Sequence, residues 1–284
     1  MKQVKEKVMQ GVFLIAACVS ILAVALICIF LFANGIPAIG KIGVGNFLLG
    51  TEWRPLKEIF GIFPMIVGSL YVTAGAILFG VPIGLLCAIF MARFCPKKLY
   101  KVLKPLVDLL AGIPSIVYGF FGLMVLVPLM QDLFGGSGKG ILTASLLLGI
   151  MILPTIISVS ESSIRAVPES YYEGALALGA TRERSVFAAI LPAAKSGILA
   201  GVILGVGRAI GETMAVVMIA GNQPILPTSI LSGVRTMTAN VVLEMGYATG
   251  LHRQTLIATG AVLFAFILLI NALFAVLKRK ELKQ

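Results

Sequence analysis

Six long apolar runs constrain the fold more than any other feature of this sequence. They cover about residues 11–34, 64–92, 113–131, 140–162, 193–221 and 255–277. A helix needs about 20 predominantly apolar residues to cross the hydrocarbon core of a bilayer. Several runs contain proline, such as Pro82, Pro114 and Pro154, which membrane helices tolerate where neighbouring groups satisfy the freed backbone. The sequence therefore predicts an all-α integral membrane protein with six spans.

The composition excludes an ordinary soluble domain. Of the 284 residues, 59% are hydrophobic and 12% are charged, and the mean hydropathy is +1.04. Soluble domains carry about 25% charged residues. The net charge of +11 comes from basic residues at the ends of apolar runs, a pattern that sets membrane orientation and does not resemble a nucleic-acid-binding face. We expect contact with a lipid bilayer and no nucleic-acid partner.

The distribution of basic residues predicts that both termini are cytoplasmic. Sixteen Lys and Arg residues lie at the N terminus, in the 93–104 and 163–195 loops and in the C-terminal tail, whereas six lie in the alternate segments. Loops rich in Lys and Arg stay on the cytoplasmic side. The two longer outer segments, about 35–63 and 222–254, are expected to form short interfacial helices or re-entrant pieces.

A secretory signal peptide is the alternative for the N terminus, because lysines precede the first apolar run. That run is longer than the roughly 7–15 residues of a signal core, and no small-residue cleavage site follows it in a polar setting. We interpret it as the first span.

Cysteine and histidine do not indicate a metal or redox site. Cys18, Cys28 and Cys87 lie within apolar runs, Cys95 follows the second run, and none has metal-type spacing. The single His252 cannot complete a cluster. We expect no metal and interpret the cysteines as small apolar side chains.

The most informative loop reads "VPESYYEGALALGATRERSVFAAILPAAKSG", residues 167–197. Pro168 suits the first turn of a helix, and Glu169 lies near its positive end. Gly179 favours a helix stop and Thr181 favours a cap on a second helix, and Pro192 is expected to break the chain before the fifth span. The pattern predicts two short amphipathic helices around a glycine turn, parallel to the membrane. They either lie on lipid headgroups or dock into another protein.

This loop resembles the EAA loop of permease subunits in bacterial ATP-binding-cassette importers. The matching positions are Glu173, Ala175, Gly179, Leu191 and Pro192. Gly174 and Ala189 depart from the pattern, although Ile190 supplies an apolar residue directly after Ala189. The resemblance implies a coupling helix that fits a cleft on an ATPase subunit and transmits its closure to the spans.

Three further stretches are similar to the PstC-type permease of phosphate importers. They are "SLYVTAGAILFGVPIGLLCAIFMARF" (69–94), "DLLAGIPSIVYGF" (108–120) and "GRAIGETMAVVMIAGN" (207–222). The resemblance implies a type I ABC importer permease fold in the bacterial cytoplasmic (inner) membrane, with residues 1–63 as an N-terminal helix and outer loop and residues 64–284 as the permease core. It also implies three kinds of partner: a PstA-type second permease, a dimer of PstB-type ATPase subunits and an external PstS-type phosphate-binding protein.

The chain itself has no G-x-x-x-x-G-K-[ST] loop for nucleotide phosphates. We therefore expect a subunit without catalytic residues or a cofactor of its own. In that family, ATP and magnesium are bound by the partner ATPase.

Two charges interrupt the fifth apolar run, Arg208 and Glu212. A charge at mid-membrane costs on the order of 2.5–3.5 kcal/mol on insertion scales. At positions i and i+4 of a continuous helix, the two would share a face and neutralise one another. They are interpreted either as a buried ion pair that fixes helix packing or as part of a substrate path. In a path, Arg208 would contact the anion through its planar donor fork, and Glu212 would be its partner and gate.

Ser115, Tyr118 and Thr213 are weaker candidates for the same path, because hydroxyl groups in membrane helices often bond to backbone carbonyls. Asp108 and Glu161 lie near the cytoplasmic ends of spans, where either snorkelling to the interface or local pairing suffices to explain them.

Three alternative functions remain open from the residues. One is an ABC permease for another oxyanion, molybdate or sulfate. Another is a proton-coupled secondary anion transporter that uses Arg208 and Glu212 as a relay, although such a carrier needs no ATPase-docking loop at 167–192. The third is a structural membrane anchor, which charges at mid-membrane disfavour.

Overall fold

The computed structural model describes the chain from Lys2 to Glu281, with the side chains of residue 6, residues 8–273 and residue 276. Within these residues, six helical segments are long and apolar enough to cross a membrane: Val8–Ile42, Phe63–Phe94, Ser115–Phe134, Ile141–Arg165, Arg182–Gly211 and Gly250–Leu273. The six predicted spans are confirmed, and an even number places both termini on one side. The side chains of some orientation-setting residues lie outside the described part: Lys2, Lys5, Lys7, Lys278, Arg279, Lys280 and Lys283.

The spans are interrupted and connected by shorter elements. The α-helices of the described chain are α1 (Lys2–Ile42), α2 (Val44–Leu49), α3 (Phe63–Ile89), α4 (Lys97–Gly112), α5 (Ser115–Phe121), α6 (Val127–Phe134), α7 (Ile141–Arg165), α8 (Glu169–Ala177), α9 (Arg182–Ser185), α10 (Leu191–Gly211), α11 (Met214–Ile219), α12 (Met237–Glu244) and α13 (Gly250–Glu281). Wide π turns at Phe90–Phe94, Gly122–Leu126 and Val186–Ile190 join neighbouring helices.

The outer segments contain the expected short helices, α2 and α12, and also a hairpin that the sequence does not predict. Strand β1 (Trp53–Arg54) pairs antiparallel with β2 (Ile59–Phe60), with Trp53 opposite Phe60. The other outer segment folds back onto the start of α7, where Ile141 N donates to Ser232 O at 3.1 Å and Leu142 N donates to Ile230 O at 2.9 Å. These bonds satisfy N–H groups that the first turn of a helix leaves unpaired.

Close packing of α7 against α3 and α10 forms the centre of the bundle. On α10, Gly197, Gly201 and Gly205 recur every four residues and face α7. A Cβ atom at Gly205 would lie 2.8 Å from Ile156 Cγ1, and one at Gly197 would lie 2.2 Å from Ser163 Oγ. Lipid gives little hydrophobic drive to helix association, so small residues that bring backbones together supply the van der Waals contact.

The first span lies at the edge of the bundle and exposes most of its apolar side chains. It packs against α13, where the rings of Phe32 and Phe264 lie 6.2 Å apart edge to face. Gly35 approaches the backbone of Ala258, since a Cβ atom there would lie 3.0 Å from Ala258 Cα. A peripheral helix that is apolar on all sides is suited to contact with lipid.

We predict that Gly80→Val weakens the packing of α3 against α7. A Cβ atom at Gly80 would lie 2.8 Å from Ile152 Cδ1 and 2.9 Å from the carbonyl oxygen of Gly149, and a backbone atom cannot move aside. Overpacking of this kind costs about 1–3 kcal/mol. The melting temperature of the purified subunit in detergent should fall. Gly11→Val is the matched control, because nothing lies within 4 Å of that Cβ position, and equal melting temperatures for the two variants would contradict the prediction.

Candidate functional site

The fifth span ends at the charged pair and is not continuous through it. Helix α10 ends at Gly211, Glu212 has an extended backbone (φ −67°, ψ 135°), and α11 begins at Met214. The predicted continuous helix over 193–221 is therefore wrong. Because Glu212 lies beyond the last helical residue, it does not share a helix face with Arg208. The predicted i, i+4 ion pair is wrong for the same reason, and each charge has other partners.

The carboxylate of Glu212 caps the short helix that follows it. Its Oε1 atom accepts hydrogen bonds from the backbone N of Thr213 at 3.0 Å and of Ala215 at 3.3 Å. A negative group at a helix N terminus is stabilised by these unpaired N–H groups and by the helix dipole. The backbone oxygen of Glu212 accepts from Thr238 Oγ1 at 3.0 Å, so the break is also held against α12.

Arg208 lies one turn before the break, half-buried on α10. Its Nη1 atom donates to Thr155 Oγ1 on α7 at 3.4 Å, a long hydrogen bond. Arg208 thus keeps most of its donor fork and forms no ion pair with Glu212.

Two of the three weaker candidates have hydroxyls that are occupied by backbone carbonyls. Tyr118 is buried on α5 and donates to Leu110 O at 2.9 Å. Thr213 donates to Gly211 O at 3.2 Å. Ser115 is the first residue of α5 and is half-buried. Thr213 belongs to the break beside Glu212.

Sequence reasoning missed Thr155 and Thr238, which contact the two charged residues. Each lies in an apolar or mixed stretch, and hydroxyl residues are common in membrane helices. A threonine directly after Pro154 in the fourth span is the one available signal, because proline frees a carbonyl and neighbouring polar groups then gather.

A second polar network, on the outer side, was also missed. Glu244 is 5% exposed. Both of its carboxylate oxygens accept from Trp53 Nε1, at 3.1 and 3.0 Å. Arg235 Nη1 lies 2.5 Å from Oε1, and His252 Nε2 lies 2.8 Å from Oε2. The network joins β1, the loop before α12, α12 and α13, and so fixes the outer segments to one another.

The inner loop contains the predicted first helix and glycine turn. Helix α8 spans Glu169–Ala177, Gly179 adopts φ +84°, and Thr181 Oγ1 accepts from Arg184 N at 3.2 Å to cap α9. A positive φ strongly favours glycine, so the helix stop at Gly179 is confirmed, as is the Thr181 cap.

Pro192 does not break the chain, contrary to the sequence prediction. Helix α9, the π turn Val186–Ile190 and α10 form one helical segment from Arg182 to Gly211. The wide turn closes with Leu191 N donating to Val186 O, and Pro192 then occupies the first turn of α10, where a missing N–H is tolerated. The second predicted short helix is therefore the inner end of the fifth span.

The inner loop exposes one apolar face and buries the other. Val186 and Ile190 are buried against the bundle, whereas Phe187 is exposed. Leu178 is 91% exposed and Tyr171 is also exposed. Large apolar side chains exposed at the turn of a rigid loop are typical of a protein-docking surface.

The acidic residues near the inner ends of spans are locally paired, as predicted. Glu161 is buried, forms an ion pair with Arg165 and accepts from Tyr100 at 3.0 Å. Burial, followed by the hydrogen bond to Glu161, raises the pKa of Tyr100 above its ordinary value of 10.0, so this hydroxyl remains a donor. Asp108 lies 3.2 Å from Lys104 on the same helix.

The chain resembles known transport proteins over most of its length. Residues 80–283 match the family described as binding-protein-dependent transport system inner membrane component. The chain is 40% identical to the probable ABC transporter permease protein YqgH of Bacillus subtilis (strain 168), over 93% of this chain and 90% of that protein. It is 37% identical to the phosphate transport system permease protein PstC of Mesorhizobium japonicum (strain LMG 29417 / CECT 9101 / MAFF 303099), over 87% of this chain and 82% of that protein.

Its fold is similar to a solved structure of the MetNI methionine ABC transporter in inward-facing conformations. The TM-score is 0.63 at 20% identity, over 81% of this chain and 99% of that chain. The predicted type I ABC importer permease fold is confirmed by this likeness. With six spans and a family match over residues 80–283, the chain belongs to the binding-protein-dependent transport system inner membrane component family and is a multi-pass protein of the inner membrane.

Proposed function

We propose that this chain is the transmembrane permease subunit of an ATP-driven importer for inorganic phosphate. The observation that carries the proposal is the continuity of the fifth span, which begins in the exposed inner loop at Arg182 and ends at Gly211, just beyond Arg208. One helical segment therefore runs from the exposed inner loop to the level of Arg208. The name of the PstC relative supports phosphate as the substrate.

The proposed complex contains four kinds of subunit. Besides this chain, they are a PstA-type second permease, a dimer of PstB-type ATPase subunits and an external PstS-type phosphate-binding protein. The family description, which specifies dependence on a binding protein, supports the last of these. ATP and magnesium belong to the ATPase subunits, and this chain contributes no catalytic residue and no cofactor.

The inner loop is the proposed contact with the ATPase. Glu173 and Leu178 are exposed on and after α8, and Gly179 makes the turn that presents them. Ala175 lies on the half-buried side of α8, and Leu191 and Pro192 begin α10. In this arrangement Ala175 permits close packing, whereas Leu191 and Pro192 carry the movement of the loop into the fifth span.

Arg208 is the proposed anion contact. Its planar guanidinium can donate parallel hydrogen bonds that match phosphate oxygens. The hydroxyls of Thr155, Tyr118 and Ser115 lie on neighbouring helices and add neutral polar groups along the same path. Thr213 extends the path toward the break.

Glu212 is the proposed gate because it controls the break. Its carboxylate holds the start of α11 through two backbone N–H groups, and its backbone oxygen binds Thr238 of α12. Loss of these bonds would free the outer piece of the span to move. This role takes the place of a direct ion pair with Arg208. It requires an acceptor oxygen on side chain 212 more than it requires a full negative charge there.

We expect the reconstituted complex to take up phosphate into proteoliposomes only when ATP is supplied. A proton gradient without ATP should drive no uptake, and excess sulfate or molybdate should not compete. Uptake of labelled phosphate is the measurement. Uptake driven by a proton gradient alone would establish the secondary-transporter alternative, and effective competition by another oxyanion would establish a different substrate.

Arg208→Gln should lower phosphate uptake by about 10- to 100-fold, the equivalent of the about 1.5–3 kcal/mol that a hydrogen bond to a charged group contributes. Arg208→Lys should be intermediate, because it keeps the charge and loses the planar fork. Arg253→Gln, an exposed arginine on α13, is the matched control. Near-normal uptake by Arg208→Gln at unchanged protein level would refute the anion-contact role.

Glu212→Ala and Glu212→Gln separate capping from charge. Glutamine retains a side-chain oxygen for the N–H groups of Thr213 and Ala215, so its uptake should stay near that of the unmodified chain. Alanine removes the cap, which costs about 1 kcal/mol, and should lower uptake about fivefold. Equal losses for the two variants, measured at equal protein level, would mean that the charge and not the cap is required.

A further inference from the structure

The inner ends of the second and fourth spans are joined by two reciprocal arginines. Arg93, in the π turn that ends the second span, donates from Nη2 to the backbone oxygen of Ile164 at 3.2 Å. Arg165, at the end of α7, donates from Nη2 to the backbone oxygen of Met91 at 2.8 Å. Each arginine therefore binds the backbone next to the other. We call these two residues and their two carbonyl acceptors the arginine clasp.

Local sequence features free both acceptor carbonyls. In an α-helix, the oxygen of Met91 would accept from the backbone N of Cys95. The wide turn directs that N–H to Phe90 O instead, at 2.8 Å. At the end of α7, the corresponding donor for Ile164 O would come from Pro168, which has no N–H. A π turn and a proline thus each leave one carbonyl for an arginine of the neighbouring span.

Each arginine also holds a second element. Arg93 Nη1 lies 2.8 Å from Oε2 of Glu169, the first residue of α8, and its guanidinium lies 6.0 Å from the ring centroid of Tyr172. Arg165 pairs with Glu161 and lies 4.1 Å over the ring of Tyr100 on α4. The clasp is therefore a junction of the second and fourth spans with α8 on one side and α4 on the other.

Of the two side chains that join the arginine clasp to α8, Arg93 is the buried one and Glu169 is the exposed one. Its side chain is 11% exposed, whereas that of Glu169 is 59% exposed. Its Nε atom is buried without a hydrogen-bond partner among the described residues, which leaves one donor of the fork available for a second arrangement. The apolar contacts around Val167 and Tyr172 are non-directional, but hydrogen bonds of a planar guanidinium fix both distance and orientation.

We propose that Arg93 is a positioning residue that transmits displacement of α8 to the inner ends of the second and fourth spans. This inference rests on the proposed function, in which α8 follows the ATPase. When α8 moves, Glu169 displaces the Arg93 guanidinium, and the clasp moves Ile164 and the π turn together. Helices α3 and α7, interlocked by their glycine contacts, then move as a unit.

The test uses the complete complex reconstituted in proteoliposomes, to which the phosphate-loaded binding protein is added. Two quantities are measured: phosphate imported per ATP hydrolysed, and the stimulation of ATP hydrolysis by the loaded binding protein. Arg93→Gln should lower the first ratio about tenfold while the ATPase subunits remain bound. Lys98→Gln, an exposed residue at the start of α4, is the matched control and should leave the ratio unchanged.

Glu169→Gln tests the same link from its exposed end, where folding is not at risk. It should lower the ratio in the same direction, and the double variant should lose no more than Arg93→Gln alone, because residues of one network are non-additive. If Arg93→Gln does not accumulate, Arg93→Lys together with Glu169→Gln gives the same comparison.

An unchanged ratio in Arg93→Gln, or in Arg93→Lys and Glu169→Gln, would overturn the proposal. This includes the case in which uptake and ATP hydrolysis fall in equal proportion, since that result indicates a purely structural role. Failure of the unmodified complex to import phosphate with ATP would instead refute the proposed function. The two failures are therefore distinguishable in one assay series.

Discussion

The structure depends on the requirement that backbone N–H and C=O groups inside or beside a bilayer have partners. An uninterrupted helix meets this requirement by itself, and an interrupted one does so only with help from side chains. In this chain, charged side chains supply that help. Glu212 accepts from two N–H groups at the break in the fifth span, and Arg93 and Arg165 donate to carbonyls at the ends of two spans. These charged residues therefore lie where backbone groups would otherwise lack partners. This explains why an otherwise apolar chain contains them despite their energetic cost.

The same requirement divides the molecule into rigid and adjustable parts. Glycines on α3 and α10 bring both helices into backbone contact with α7, and a core packed this closely moves as a unit. The break at Gly211–Thr213 and the wide turns Phe90–Phe94 and Val186–Ile190 lie outside these contacts. The break in the fifth span, held by the Glu212 cap, is therefore separate from the tightly packed part of the bundle.

Span number and orientation could be predicted because both depend on local averages, namely apolar length and the distribution of Lys and Arg. Gly179 and Thr181 could also be predicted, since a left-handed turn and a helix cap each involve only neighbouring residues.

The end of the fifth span could not be predicted, because Gly211 and Thr213 are as compatible with a membrane helix as with a break. The prediction that Pro192 breaks the chain is wrong because the wide turn before it offsets the helix-breaking effect of proline. The Trp53–Glu244 bond joins residues 191 positions apart, a distance over which no sequence pattern operates.

The separation of Arg208 from Glu212 resolves a difficulty that the predicted pair leaves. A helix-face ion pair would neutralise Arg208 and leave little attraction for an anion, whereas a free carboxylate beside the path would repel a phosphate dianion. The break removes both problems. It directs Glu212 to the N terminus of α11, where backbone N–H groups and the helix dipole offset its charge, and leaves Arg208 bound only to the neutral hydroxyl of Thr155 among its hydrogen-bond partners in the described chain. Arg208 therefore has no ion-pair partner among the described residues, and it lies on the helical segment that begins in the exposed inner loop at Arg182.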